Sequence, residues 1–315
     1  MSPRPTPPHP WSILSAAQTF AALYAKAAQA PNNLLNGRSL QERDPKTLDQ
    51  LVPLWDWFYH YYFRVSSDGW EHIPPSGRSL LVGSHNGGLA APDMFMMMCE
   101  WYRRFGTERL SYGLMHPKVW QVFPDLARLA TLGGALQARP QLAIAALRKE
   151  ASVLVYPGGI QDVFRPYSQR HRIQLYGRTG FIKLALREET PIIPLVSCGA
   201  HDTLVVLADL YPPFKQLNEW GMPWILGIDP EVLPLYLGLP WGVALGPVPH
   251  FPIPTKIQFR ICAPIVFERY GAAAAQDEEY VTACYHRVCR HMQQNLDQLV
   301  LERSASPKVP NAQGS

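Results

Sequence analysis

The stretch LLVGSHNGGLAAPD, Leu80 to Asp93, sets a histidine, two glycines and an aspartate at the end of an apolar run. Histidine is the side chain best suited to moving protons near neutral pH. An acid within reach fixes the tautomer of the ring and stabilises the imidazolium, as in a Ser-His-Asp triad. Gly87 and Gly88 bare the backbone, which permits close approach of a ligand and conformations closed to other residues. His85 is therefore a candidate general base and Asp93, eight positions on (93 − 85), its candidate partner, with Asn86, Gly87 and Gly88 as candidate substrate contacts.

Two other stretches share this pattern. VLVYPGGIQD puts Pro157, Gly158, Gly159 and Asp162 after an apolar run, and PLVSCGAHD does so with Gly199, His201 and Asp202. One such stretch is an ordinary turn. Their recurrence points to a shared site, because ligands of open α/β sheets bind beyond the carboxyl ends of the strands. Other chemistries lack their residues. There is no G-x-S-x-G for a nucleophile elbow, no P-loop and no G-x-G-x-x-G, and no His/Asp cluster at metal spacing.

The elements that must position these residues alternate. SLLVGSH, LSYGLM, SVLVYPGG, PIIPLVSCG and KIQFRI read as strands. PDMFMMMCEWYRRFG, PKVWQVFPDLARLA, PQLAIAALRKE and RTGFIKLALREE read as helical pieces, some opened by proline in the first turn. A last helix starts near Asp277, with Val281, Cys284, Val288, Met292, Leu296 and Leu299 on one face. This alternation predicts an α/β fold, a largely parallel central sheet flanked by helices. Four segments are expected: a disordered proline-rich run over 1–12, an aromatic-rich helical segment over 13–64, an α/β domain over 65–303 and a flexible tail over 304–315.

The bulk properties are mild. The chain has 315 residues, 47% of them hydrophobic, and a net charge of +4, which argues against a nucleic-acid partner but suits phosphates or a membrane surface. Five cysteines without C-x-x-C spacing read as reduced thiols. The N-terminus lacks the apolar core of a signal peptide. Val232 to Thr255 carries no charge, yet six prolines break it. Each interior proline costs a helix roughly 3 kcal/mol, so a membrane-spanning helix is not predicted. The segment reads as an apolar loop over the domain, a pocket wall, or a surface that dips into a bilayer. The aromatic run Trp55 to Phe63 reads either as a helix packed on the main domain or as a second contact with lipid.

Taken in order, the blocks VGSHNGGLAAPD, LGGALQARPQ, VYPGG and GRTGFIKLALREETPIIPLVSCGAHDTL resemble the glycerolipid acyltransferase superfamily, and within it the branch of type-2 diacylglycerol acyltransferases and phytyl ester synthases. The resemblance spans roughly Tyr61 to Phe267. It implies fatty acyl transfer from acyl-CoA or an acyl-carrier protein to a lipid hydroxyl, with no further cofactor. His85 would be the base, Arg139 would help hold the acceptor, and Arg178 would belong to the R-x-G-F helix. Two positions depart from the superfamily pattern. The common H-x-x-x-x-D motif would put its acid at position 90, which is Ala90, and the nearest acid is Asp93. Many members carry F-P-E-G where this chain has Tyr156-Pro157-Gly158-Gly159; the missing glutamate tilts the acceptor from a phosphorylated to a neutral alcohol.

In that scheme backbone N–H groups near Gly87-Gly88 or Gly158-Gly159 would receive the oxyanion. The basic run Arg165, Arg170, Arg172, Arg178, Lys183 and Arg187 reads as a solvated face or as a binder of CoA phosphates. Met94, Met96, Met97 and Met98 read as core packing or as the wall of an acyl-chain site. Three alternatives stay open: a lysophosphatidate-type acyltransferase, a lipid-binding protein without catalysis, and a hydrolase using Ser84. The expected location is the cytoplasmic side of a membrane, peripherally bound.

Overall fold

All five residues of Ser79–Gly83 are buried, as an apolar strand covered by helices on both faces requires. In the computed structural model, which describes residues 10–31, 34–224, 227 and 229–305, this strand is at the middle of a seven-stranded sheet. The strands in chain order are β1 (Ser66–Asp68), β2 (Ser79–Gly83), β3 (Ser111–Met115), β4 (Ala135–Gln137), β5 (Ser152–Val155), β6 (Ile192–Cys198), β7 (Val205–Asp209), β8 (Pro234–Gly238), β9 (Gly242–Leu245) and β10 (Gln258–Ile261). The large sheet has the order β1-β10-β6-β2-β5-β3-β4. It is parallel except where β10 runs against β6.

The helices are α1 (Pro10–Ala28), α2 (Pro45–Trp57), α3 (Pro92–Phe105), α4 (Val119–Val122), α5 (Pro124–Leu132), α6 (Pro140–Arg148), α7 (Gly159–Val163), α8 (Gly180–Arg187), α9 (Tyr211–Glu219), α10 (Ala272–Gln276) and α11 (Glu278–Ala305). The apolar stripe of α11, Val281 to Leu299, is buried in one core with Leu80, Val82 and Ile192. The methionine helix α3 packs on the opposite face, where Met96 and Met97 meet Leu81 and Leu195. In α1, Leu23 and Ala27 pack on Leu51 and Leu129, which ties the helical segment to the α/β domain. None of the described helices is long and apolar enough to cross a membrane.

Four readings of the sequence change here. Most of the proline-rich run lies outside the described residues, but Pro10, Trp11 and Ser12 already belong to α1. At the other end α11 runs to Ala305, so Ser304 and Ala305 are helical, and the rest of the expected tail lies outside the described residues. Val232–Thr255 is not simply a loop: β8 and β9 form a hairpin that pairs with β7 as a second, antiparallel sheet. Its prolines stand at the start of β8 and outside the paired positions of β9, where a missing N–H breaks no central ladder. The aromatic run turns inward. After α2 the chain widens into a π-turn over Phe58–Tyr62, and no aromatic of Trp55–Phe63 is exposed.

Candidate active site

In the sheet β6, β2 and β5 are neighbours and run parallel, so their carboxyl ends open on one edge. That register brings the three glycine-bearing stretches together. His85 lies two residues beyond the end of β2, and its Nδ1–H donates to Asp93 Oδ1 at 3.3 Å. Asp93 reaches back because Ala91, at φ 42°, and Pro92 turn the chain straight into α3 and leave the acid in its first turn. The displaced acid, three residues later than the common motif has it, thus still meets the histidine. Using Nδ1 for Asp93 leaves Nε2 as the nitrogen able to take a proton.

Around this pair the polar groups are bound to one another. Asp93 is 3% exposed, and its Oδ2 accepts from Asn86 Nδ2 at 3.3 Å. Asn86 Nδ2 also donates to Ser84 O and Ser197 Oγ, both at 2.9 Å. The Tyr156 ring stacks on the imidazole with centroids 4.5 Å apart. Gly83 makes room for that ring, since a Cβ there would come within 2.3 Å of it. Burial, with Asp93 nearby, holds the Tyr156 phenol well above its ordinary pKa, so it stays neutral.

Beneath the histidine lies a second acid. Asp162, in α7, accepts from the His85 backbone N–H and from Ser84 Oγ at 3.1 Å. Arg165 Nη1 donates to Asp162 Oδ1 at 2.8 Å and to His85 O at 2.7 Å; its Nη2 donates to Asn86 Oδ1. Both side chains are almost wholly buried. Burial pushes the Asp162 carboxyl up to about 6, with the Arg165 charge and the donated hydrogen bonds opposing it. His201 Nε2–H donates to Arg165 O at 2.8 Å. Burial pushes the His201 imidazole down to about 3, assisted by the Arg165 charge, so the ring is neutral.

Above His85 opens a cavity of about 2160 Å³. Pockets for drug-sized molecules run roughly 300–1,000 Å³, so this one has room for a larger, chain-like ligand. All four clustered methionines of α3 border it, as do Trp55, Trp57, Phe58 and Tyr62 of the aromatic run. The wall also holds His85, Gly88, Arg139, Pro157, Gly159 and Arg178. Arg178 Nη1 donates to Pro157 O at 3.1 Å, over the bare face of Gly159, where a Cβ would lie 2.3 Å from it. Arg139, which precedes α6, donates to Gln137 Oε1 at 2.9 Å. Lys183 and Arg187 of α8 border the cavity as well.

The other candidates lie behind that wall. Asn86 and Asp162 belong to the network under His85, and Gly87 and Gly158 accommodate neighbours. A Cβ on Gly87 would press on Thr203 and Pro92, and one on Gly158 would lie 2.4 Å from Asp162. His201 sits beneath Arg165. Asp202 faces Arg303 at 3.4 Å and Arg170 at 3.6 Å, away from the cavity. The basic run therefore divides: Arg165 is core, Arg170 pairs with Asp202, and Arg178, Lys183 and Arg187 face the cavity. Ser84 is buried with its hydroxyl given to Asp162, which leaves it poorly placed as a nucleophile.

Three participants carried no mark in the sequence that singled them out. Arg165 could have been found from its i,i+3 spacing to Asp162. Tyr156 stands in the VYPGG block, where its residue type alone assigns it no role. His250 Nε2–H donates to Gly87 O at 3.2 Å, and its ring fills the space a side chain at Gly88 would need. Nothing near His250 in sequence signals that contact.

A family model described as diacylglycerol acyltransferase matches residues 41–220, more than half of the chain. The chain belongs to the diacylglycerol acyltransferase family. It is an O-acyltransferase by that membership, and the matched residues include His85, Asp93, Asp162 and Arg178. Among similar proteins, an uncharacterised one from Mycobacterium tuberculosis is 28% identical over 262 residues, covering 82% of this chain and 68% of its own. The 2-acylglycerol O-acyltransferase 1 of Mus musculus is 24% identical over 64% of this chain and 58% of its own. Phytyl ester synthase 2 of Arabidopsis thaliana is 25% identical over 75% of this chain and 34% of its own. Among solved structures, the 1-acyl-sn-glycerophosphate acyltransferase PlsC of Thermotoga maritima superposes loosely, with a TM-score of 0.46 and 12% identity over 90% of this chain and 94% of that one.

Proposed function

We propose that this family member moves a fatty acyl group from a thioester, acyl-CoA or an acyl-carrier protein, to the hydroxyl of a neutral lipid: diacylglycerol, a long-chain alcohol or a quinol. The reading is carried by the His85–Asp93 pair at the base of a large apolar cavity. His85 Nε2 takes the proton of the acceptor hydroxyl as its oxygen attacks the thioester carbon. General-base assistance of this kind is worth roughly 10²–10⁴-fold. Asp93 keeps the proton on Nδ1 and stabilises the imidazolium. The tetrahedral oxyanion collapses, the C–S bond breaks, and the leaving thiolate recovers the proton from Nε2. The products are an ester and a free thiol. Backbone N–H groups of the Gly87-Gly88 turn are the candidate oxyanion donors.

Arg139, Arg178, Lys183 and Arg187 give the cavity a basic side that suits the phosphates of the donor. At position 158 a glutamate would collide with Asp162, which supports an acceptor without a phosphate. The enzyme works at a membrane surface, peripherally and on the cytoplasmic side, because its substrates are lipids. Purified protein incubated with labelled acyl-CoA and a panel of diacylglycerol, phytol, a quinol and lysophosphatidate tests the reading. Labelled neutral ester is expected. Acylation of lysophosphatidate alone would overturn the neutral acceptor, and free fatty acid alone would overturn transfer.

A further inference from the structure

An antiparallel sheet with one covered face ordinarily turns polar side chains to water on the other. The β7-β8-β9 sheet does not. Its inner side is conventional, with Val206 and Tyr236 buried against Phe164 and Leu204. On its outer side Leu237 of β8 stands opposite Val243 of β9, and Leu235 opposite Leu245. Leu237, Val243 and Leu245 are exposed, and so are Leu207 of β7 and Trp241 in the hairpin turn. Val243 is 66% exposed and Trp241 57%. Edge strands are usually protected by charge, yet no charged residue occurs from Val232 to Thr255.

This face is continuous with the cavity. Leu245, Val248, Phe251 and Met222 are all exposed, and all four also border the cavity, so they form the rim of an opening. We propose that the outer face of the β7-β8-β9 sheet is the seat of the protein on a lipid surface, with that rim as the entry for the lipid acceptor. The proposal rests on the acyltransfer reading for what enters, but not for what the face touches. A long-chain alcohol is held in a lipid phase, and an apolar rim pressed to that phase admits it without a passage through water. With no spanning helix among the described residues, contact by a surface is what the described fold offers. Trp241 is suited to the water–lipid boundary, and its Nε1–H donates to Pro249 O at 2.7 Å, which fixes the ring at the turn. A second copy of the chain stacked on this face would cover Leu245, Val248 and Phe251 and shut the opening; lipid leaves it supplied. The aromatic run Trp55–Phe63 does not compete for the role, because it lines the cavity from inside.

The test uses the full chain and vesicles of dioleoylphosphatidylcholine. The wild-type protein is expected to sediment with them, and Val243→Asp and Leu237→Asp each to lower the partition coefficient about tenfold. Neither residue borders the cavity, so transfer between a short-chain thioester and a water-soluble alcohol keeps its rate, while transfer to vesicle-held diacylglycerol falls. Should an aspartate variant fail to fold, quenching by brominated lipid, compared between wild type and Trp241→Phe, reads the same contact. Unchanged partition in the folded aspartate variants, or quenching that ignores Trp241, overturns the proposal. So does a wild-type protein that ignores vesicles and forms a dimer that Val243→Asp splits. Vesicle binding that depends on Val243, in a protein that transfers no acyl group, supports the seat and removes only the acyltransfer reading.

Discussion

Asp162 and Arg165 are charged and almost wholly buried, whereas Trp241, Val243 and Phe251 are apolar and more than half exposed. Each region inverts the usual placement of side chains. Under His85 the inversion is answered locally. Most polar groups there meet another, His201 Nδ1 being left without a partner among the described residues, and the backbone of the histidine turn is gripped from below by Asp162 and Arg165. On the hairpin none of the described residues answers it. Buried charge here serves rigidity beneath the candidate base, and exposed hydrocarbon leaves a surface unfinished until something covers it. The two regions meet at His250, which leaves the hairpin side and binds Gly87.

The largest losses are expected in the polar region under His85. His85→Ala is expected to lower single-turnover transfer roughly 10²–10⁴-fold, with the circular dichroism spectrum unchanged; a near-native rate in a folded variant removes His85 as base. Asp162→Asn and Arg165→Met are each expected to cost about 3–5 kcal/mol in urea unfolding, because each strands a buried partner. Removing both together should cost less than the sum. Val243→Thr, on the exposed face, should stay within about 0.5 kcal/mol of wild type. Equal losses in the two regions would show that the buried network is not what holds the histidine turn.

A pH series sharpens the polar end further. Unfolded His201 takes a proton near its ordinary pKa, 6.5, while the folded ring resists protonation down to about 3. The unfolded state therefore binds more protons in that window, and His201 stabilises the fold above pH 6.5 and loses that contribution as pH falls. Asp162, raised from 3.8 to about 6, acts with the opposite sign between those values. The stability difference between wild type and His201→Gln is expected to shift against wild type by about 1.4 kcal/mol per pH unit below 6.5. A flat difference would mean that the buried ring is protonated as readily as a free one. Within the buried network the smallest effect belongs to Ser84→Ala, which gives up one hydrogen bond to Asp162, about 0.5–1.5 kcal/mol. Transfer should stay within about tenfold of wild type, and intact-mass spectra should show no acyl adduct on Ser84.

The elements that carry the site could be read from the chain because they obey simple periods. β2 and β6 are largely apolar runs, α11 keeps its stripe at three- and four-residue steps, and Pro92 and Pro140 each open a helix. His85 and Asp93 were visible as residue types at a strand end; their meeting depends on the φ of Ala91, which no period reveals. Short strands were hidden. β1 and β4 have three residues each, too few to show alternation. β8 and β9 were masked by prolines and by apolar residues on both faces, which erase the period of two. Arg165 looked like one more cation in a basic run; only the fold shows that it faces the core. His201 and Asp202 read as site residues because their turn follows a strand, yet the turn aims them at arginines behind the wall.

Gly88 and His250 are two halves of one shape. A Cβ on residue 88 would come within 2.4 Å of the ring at 250, and the backbone at 88, with φ +62°, disfavours any side chain. In lineages descended from a common ancestor, substitution at either place therefore alters what the other can tolerate. A lineage that lost the ring at 250 would lose the hydrogen bond to Gly87 O along with the contact over Gly88, and a lineage that gained a side chain at 88 would have to lose that ring. The two positions are expected to change as a pair, so that the hairpin and the histidine turn carry a joint record of their history although 162 positions separate them (250 − 88).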